Sequence, residues 1–342
     1  MVSIAVADRP TPVSRVWSGS KIIAEDLTGE DLSDVLELHS AASAWWVLPR
    51  DPDYGAVELR HVAHALELDE LAIKDLLAED RRAKFEAIGQ SRLVITNAVS
   101  VDKDHAQIHA HPVSIIATDR ALICLAEPTP HFQPARLLVQ NEELIASGGI
   151  EAAVQAVIRA VIGTYEDALR WLEDSSDELA RVLFEERPLN KPEQLHAFQL
   201  RSALSQLRRL TDPMRTVMID IVESPPRARK SKTAPETAIG RHWVVLSEQH
   251  GRVANAADAL REALSSIFDT SLALADVRLN QIMKKLSAWA AILAVPTLVT
   301  SFVGMNVGFP LQGSGTGFWV YFLLMITASV VLYFVFRAKD WL

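Results

Sequence analysis

Two stretches near the C-terminal end carry no charged side chain: Leu286 to Val303 and Phe318 to Phe336. Each has about the length that crosses the ~30 Å hydrocarbon core of a bilayer as a helix, which takes roughly 17–25 residues. Lipid offers the backbone no hydrogen bonds, so such a segment must satisfy its own N–H and C=O groups, as a helix does. Two buried core helices would also be apolar, but the flanks argue for a membrane. Lys284 and Lys285 precede the first stretch, Arg337 and Lys339 follow the second, and Gly304 to Gly317 between them holds no Lys or Arg. Positive flanks stay in the cytoplasm, which puts both chain ends inside and the short connection outside. Trp289, Trp319, Tyr321 and Trp341 are placed to anchor at the two interfaces. Pro296 interrupts the first span and leaves a carbonyl unbonded, which is tolerated beside other helices or water and not against lipid.

The preceding 280 or so residues read as a water-soluble body. With 342 residues the chain exceeds one ordinary core. Its formal net charge of -9 argues against nucleic acid as a partner. The single cysteine, Cys124, has no internal disulfide partner and sits in an apolar run, which suggests an inert core position and a reducing compartment. The opening residues lack the apolar core of a signal peptide, so the body is expected in the cytoplasm. Arg92 to Thr96, Val113 to Ala117 and Ala121 to Leu125 are strand candidates, with turns at Asp102 to Asp104 and Thr118 to Arg120. His61 to Leu77 has helical spacing. Helical patterns cover Glu151 to Glu186 and Pro192 to Val222, and after a polar, basic break at Ser224 to Thr233 a third begins near Ile239. From Gly251 to Met305 that helix would reach about 80 Å, far more than one globular core needs.

The expected fold is therefore an α+β cytoplasmic domain, a long helical stalk and two transmembrane helices. The segments are an α/β domain over 1–145, a helical segment over 146–240, and a long helix over 241–305 whose end, about 286–304, is the first span. An external linker follows over 305–317, then the second span over 318–336 and a basic cytoplasmic tail over 337–342. Gly313 to Gly317 reads as a flexible part of that linker.

Stepping along the long helix in a 3.5-residue repeat gives one seam: Glu262, Ser266, Asp269, Ala273, Asp276, Asn280, Met283, Ser287, Ala290, Ala294, Thr297, Ser301 and Gly304. A dry coiled coil would place Leu, Ile or Val there. Small residues alone fit close helix packing. The acidic members at seven-residue steps fit a water-filled conduit on a symmetry axis, because like charges gathered into rings need cations between them. Met283 is the candidate narrowing, a ring of apolar side chains that could gate by dewetting. Two spans cannot enclose a pore, so a closed homo-oligomer is required.

The first span ends in Gly304-Met305-Asn306, at the outer mouth of a membrane helix that continues a long stalk. This set resembles the CorA superfamily of divalent-cation transporters, whose signature is Gly-Met-Asn in this context. Leu279 to Leu286 is similar to the family's approach to the first span, Thr297 falls where the family has a pore-facing Thr, and Arg337 to Leu342 resembles its basic tail. Asp80 to Glu86 and the strands after it look like its N-terminal domain. The resemblance implies a funnel-shaped homopentamer in the plasma (inner) membrane, with five first spans around the pore and the Asn306 side chains as the outer selectivity ring. Gly-Met-Asn-Val-Gly followed closely by Pro, a linker without carboxylates and the closing Trp-Leu are more similar to the ZntB-type zinc branch than to the magnesium channels.

The residues themselves leave the ion open. Asn offers a neutral amide to a hydrated cation, which suits Mg²⁺, whereas tight Zn²⁺ binding wants His, Cys or carboxylate, and neither span holds one. His105, His109 and His111 with Asp102 and Asp104 form the one dense ligand-type cluster, either a cytoplasmic metal site or a polar hairpin. No nucleophile elbow, metalloprotease helix or phosphate loop points to an enzyme, and no cofactor is implied beyond the transported ion. The rivals to zinc transport are a magnesium, cobalt or nickel channel of the same family, and a membrane-anchored sensor or scaffold, which has no reason to keep a hydrophilic seam.

Overall fold

The computed structural model describes residues 13–19, 21–50, 52–77, 82–223, 234–305, 308, 310–311 and 313–342. The basic break at Ser224 to Thr233 and the pair Asp80-Arg81 lie outside them. Two compact units emerge: Met1–Leu179 with Lys191–Ser265, and Ala180–Asn190 with Ser266–Leu342.

The first unit is built on a seven-stranded sheet. Its strands are β1 (Val13–Ser18), β2 (Lys21–Glu25), β3 (Ser43–Leu48), β4 (Lys84–Ile88), β5 (Ser91–Asp102), β6 (Gln107–Ala117) and β7 (Ala121–Ala126), in the order β2-β1-β3-β7-β6-β5-β4. Only β3 and β7 run parallel. Their sequences explain their central place: Ala121-Leu122-Ile123-Cys124-Leu125-Ala126 is buried throughout, and Trp45, Trp46 and Leu48 are at most 1% exposed. A strand covered on both faces reads as a continuous apolar run rather than an alternation.

Three short helices, α1 (Gly29–Leu38), α2 (Pro52–Ala63) and α3 (Glu70–Leu77), cover one face and close a core around Trp46, Leu36, Leu59, Leu76 and Ile123. Thr28 caps α1, accepting from the Asp31 N–H while its hydroxyl donates to the Asp31 carboxylate at 2.7 Å. Arg120, in the β6–β7 turn, ties this layer down by donating to the carbonyls of Leu36, His39 and Ala42.

The other face receives α4 (Pro134–Gln140), α5 (Glu142–Leu183) and α6 (Lys191–Glu223). Gly149, at φ 69°, breaks α5 into two helical pieces near its start. Tyr165 of α5 donates to the Asn97 carbonyl of β5 at 2.6 Å, and the Val99 N–H donates to the Thr164 hydroxyl at 3.0 Å. The helix α7 (Ala234–Val303) then runs for 70 residues, roughly 105 Å at helical rise, and α8 (Gly315–Ala338) closes the chain. Cys124 is buried, as its sequence context suggests, and burial pushes its thiol up to about 12.

Candidate ion pathway

Helix α7 shows two unlike faces. One is used by its own chain: His250, Val253, Ala257, Leu260, Leu264, Ile267 and Ser271 recur at three- and four-residue steps and are all buried. Ser271 illustrates the fit within the second unit, where its hydroxyl accepts from the Leu189 N–H at 3.0 Å. Over that stretch the opposite face begins the seam, and beyond Ser271 the helix is exposed or half-buried on all sides but for Ala288. Glu262, Ser266, Asp269, Ala273, Asp276, Asn280, Met283, Ser287, Ala290, Ala294, Thr297, Ser301 and Gly304 are exposed without exception, Met283 by 59%. One continuous helix thus keeps the acidic members and the hydroxylated ones in a single register.

Within the apolar end of α7, hydroxyl hydrogens are spent on the backbone. Thr297 donates to the Leu293 carbonyl at 3.1 Å, and Thr300 donates to the Pro296 carbonyl at 2.8 Å. A Thr whose proton is so committed presents lone pairs outward, which suits water molecules oriented around a cation. Pro296 has no N–H to give the carbonyl of Ile292 one turn earlier.

The connection between the spans is ordered at its far end. Ser314 caps α8, its hydroxyl accepting from the Gly317 N–H at 3.1 Å and donating to the Leu311 carbonyl at 2.8 Å. Helix α8 therefore begins at Gly315, inside the stretch that glycine content reads as flexible. Tyr321 donates to the Pro310 carbonyl at 3.0 Å. Sequence reasoning missed both, although a Ser four residues ahead of an apolar run is a recognisable cap signal. Gly304 and Met305 continue α7 through bonds to Thr300 and Phe302, whereas Asn306 lies outside the described residues. Between the two spans lies a groove of about 950 Å³ lined by Thr297, Ser301 and Phe302 from α7, by Met305 just past its end, and by Tyr321 and Leu324 from α8.

The histidine cluster falls on the β5–β6 hairpin. The Asp102 carboxylate accepts from the N–H groups of Asp104 and His105 and from His105 Nδ1 at 2.8 Å, and the imidazole bond above all holds its carboxyl below the usual range. His111 Nε2 meets the Ser100 hydroxyl at 2.8 Å, and its burial, then the neighbouring His109, push its basicity down. Among the described residues no three His, Cys, Asp or Glu side chains converge to hold a metal ion.

The long apolar helices are membrane-length by composition, and the apolar windows of α7 and α8 are 6% and 0% buried within the chain. A third such window, in α5, is 61% buried and belongs to the first unit's core. A mixed-sheet body joined through one continuous helix to two exposed apolar spans defines a two-span membrane protein. The chain belongs to the family described as CorA-like Mg2+ transporter protein, whose profile matches residues 43–338. It is 22% identical over 318 residues to the cobalt/magnesium transport protein CorA of Thermotoga maritima, covering 91% of this chain and 87% of that one. It is 26% identical over 327 residues to the divalent cation transporter CmaX of Pseudomonas aeruginosa, covering 92% of each. In fold it is similar to the complete structure of the CorA magnesium transporter from Methanocaldococcus jannaschii, with a TM-score of 0.71 at 19% identity over 100% of both chains.

Proposed function

We propose that this protein carries divalent metal cations across a membrane, through an axial path formed where the seams of several copies of α7 face one another. The observation that carries the reading is that every member of the seam is exposed, while between His250 and Ser271 the same helix buries its other face. Glu262, Asp269 and Asp276 would gather cations in rings, Asn280 and Met283 would lead to and narrow the path, and Ser287, Ala290, Ala294, Thr297 and Ser301 would line it within the membrane. Gly304-Met305-Asn306 would form the outer selectivity ring. Five copies, with both chain ends in the cytoplasm and the spans in the inner membrane, follow the family resemblance and the charge of the flanks. His105, His109 and His111 stay a candidate regulatory metal site, completed only by groups beyond their own hairpin.

Zinc is the cargo that the carboxylate-free linker favours. Magnesium is the second reading, favoured by a seam whose donors are oxygen save for Met283, and by relatives named for magnesium and cobalt. Neither span holds an Asp, Glu or His, so any proton coupling runs through water or the acidic rings.

Uptake into proteoliposomes, followed with a zinc dye and a magnesium dye in parallel, with and without a pH gradient, separates the ions. Asn306→Leu should abolish uptake of either ion while the oligomer stays intact by size-exclusion chromatography. Unchanged uptake would remove the pore and leave a membrane-anchored scaffold.

A further inference from the structure

The first unit holds a cavity of about 280 Å³ that the ion path does not use. It lies where the β5–β6 hairpin, the turn ahead of α4 and the middle of α5 meet. Its inner lining is mostly apolar, from Val99, Val101, Ala168 and the half-buried Trp171. The Thr164 hydroxyl there is already committed, donating to the Val161 carbonyl and accepting from the Val99 N–H. The rim is charged. Arg170 is paired with Asp167 at 2.9 Å, so these two neutralise one another. Lys103 from the hairpin, His131 from the turn and Asp174 from α5 also face the cavity. These three are exposed, and among the described residues they form no ion pair or side-chain hydrogen bond. Each stands on a backbone that other bonds hold. The Asp102 carboxylate gathers the N–H groups of Asp104 and His105 around Lys103. Thr129 and Phe132 exchange backbone bonds of 2.8 and 3.2 Å across His131, and Phe132 is buried. The bond between Val99 and Thr164 joins the β5 wall to the α5 wall. Walls ordered in advance leave less freedom to be lost when a ligand binds.

The groups left over decide the ligand. A plain anion suits Lys103 and His131 but meets the Asp174 carboxylate, and a plain cation suits Asp174 but meets the Lys103 ammonium. A molecule carrying both charges satisfies all three. We propose that this cavity binds a small zwitterion with an apolar body, the chemistry of a free α-amino acid. Its carboxylate lies toward Lys103 and His131, its ammonium toward Asp174, and its side chain against Trp171 and the two valines. The volume, just under the ~300–1,000 Å³ of sites for drug-sized ligands, suits a molecule of that size. The bare alternative is a crevice whose charges water alone satisfies. The inference is independent of the transport reading above.

Equilibrium dialysis of the full-length protein in detergent, with free ligand measured by mass spectrometry, separates the two. The probes are L-phenylalanine, L-leucine and glycine, with two analogues of the first. L-phenylalanine and L-leucine should bind, and glycine, which has no apolar body, should bind at least about 10-fold more weakly. The analogue 2-phenylethylamine lacks the carboxylate and 3-phenylpropanoate lacks the ammonium. Each should bind about 10- to 100-fold more weakly than L-phenylalanine, the loss expected for one hydrogen bond to a charged group. Lys103→Met and Asp174→Asn, both at exposed positions where the fold has little to lose, should each weaken L-phenylalanine by a similar factor. Lys103→Met should leave 2-phenylethylamine within about 2-fold of its affinity for the native protein, and Asp174→Asn should do the same for 3-phenylpropanoate. No binding of either amino acid at about 1 mM would overturn the proposal. So would 3-phenylpropanoate binding as tightly as L-phenylalanine, which makes the cavity a plain anion site. Undiminished binding in both variants would overturn it too, by putting the ligand elsewhere. None of these outcomes bears on ion uptake, so the transport reading stands or falls separately.

Discussion

The first unit and the span region of the second solve the burial problem in opposite ways. In the first, the sheet is covered on both faces by its own chain, and even its buried charges are paired there. The Glu151 carboxylate accepts from Arg92 on one oxygen and from the Trp243 indole on the other, both at 2.5 Å, joining β5, α5 and α7. In the span region, Leu298 and Leu323 are 73% and 67% exposed and nothing among the described residues covers them. The difference teaches where each region's stability comes from. The body is completed by its own sequence; the spans are completed by lipid and, on the reading proposed here, by further copies of α7.

The largest test of that contrast is Glu151→Ala. It leaves an Arg and an indole without their buried acceptor and should cost about 3–5 kcal/mol, read as a lowered unfolding transition of the detergent-solubilised protein. A neutral outcome would mean that the body leans on something besides its own contacts. His250 gives the next effect. It is 1% exposed, with Tyr165, the Thr211 backbone, Asp212 and Arg215 among its neighbours. Burial lowers its pKa to about 4 from 6.5. The unfolded chain therefore takes up a proton near pH 6.5 that the folded chain refuses until near 4. Stability falls across that window as pH drops, by about 3 kcal/mol in all. His250→Phe should flatten the acid limb of the stability profile, and an unchanged limb would show that other groups carry it. The smallest effect belongs to the seam. Replacing Glu262, Asp269 and Asp276 by Gln, Asn and Asn should change the stability of the body by under about 1 kcal/mol, since all three are exposed. On the reading proposed here, added Mg²⁺ or Zn²⁺ should raise the melting temperature of the native protein, and the same variant should lose that gain. A gain that persists would place the cations elsewhere.

The legibility of the chain divides along the same line. Spans, stalk and the β5–β7 region were readable because each announces itself locally, by an uncharged run, a 3.5-residue repeat or a β-branched run ending in a turn. The strands β1, β2 and β3 were not. Trp45-Trp46 carries no alternation because both faces of β3 are covered, and its parallel partner β7 lies more than seventy residues away. The bridge from Arg92 to Glu151 to Trp243 spans 59 and 92 residues, a relation that no window of sequence displays. The seam was visible as a pattern, but its exposure could be learned only by seeing which face α7 buries. The ordered end of the linker was hidden by its glycines, of which Gly317 serves close packing against Leu311 while Gly313 supplies a left-handed turn.

The sole cysteine gives the protein a practical property. Cys124 lies under both layers of the central sheet, its thiol deprotonating only near pH 12, so a maleimide has nothing to attack while the fold holds. Any cysteine introduced along α7 would be the one reactive thiol per chain, and its labelling rate would chart water access position by position. Modification of Cys124 itself would act as a clock, ticking only when the central strands come apart.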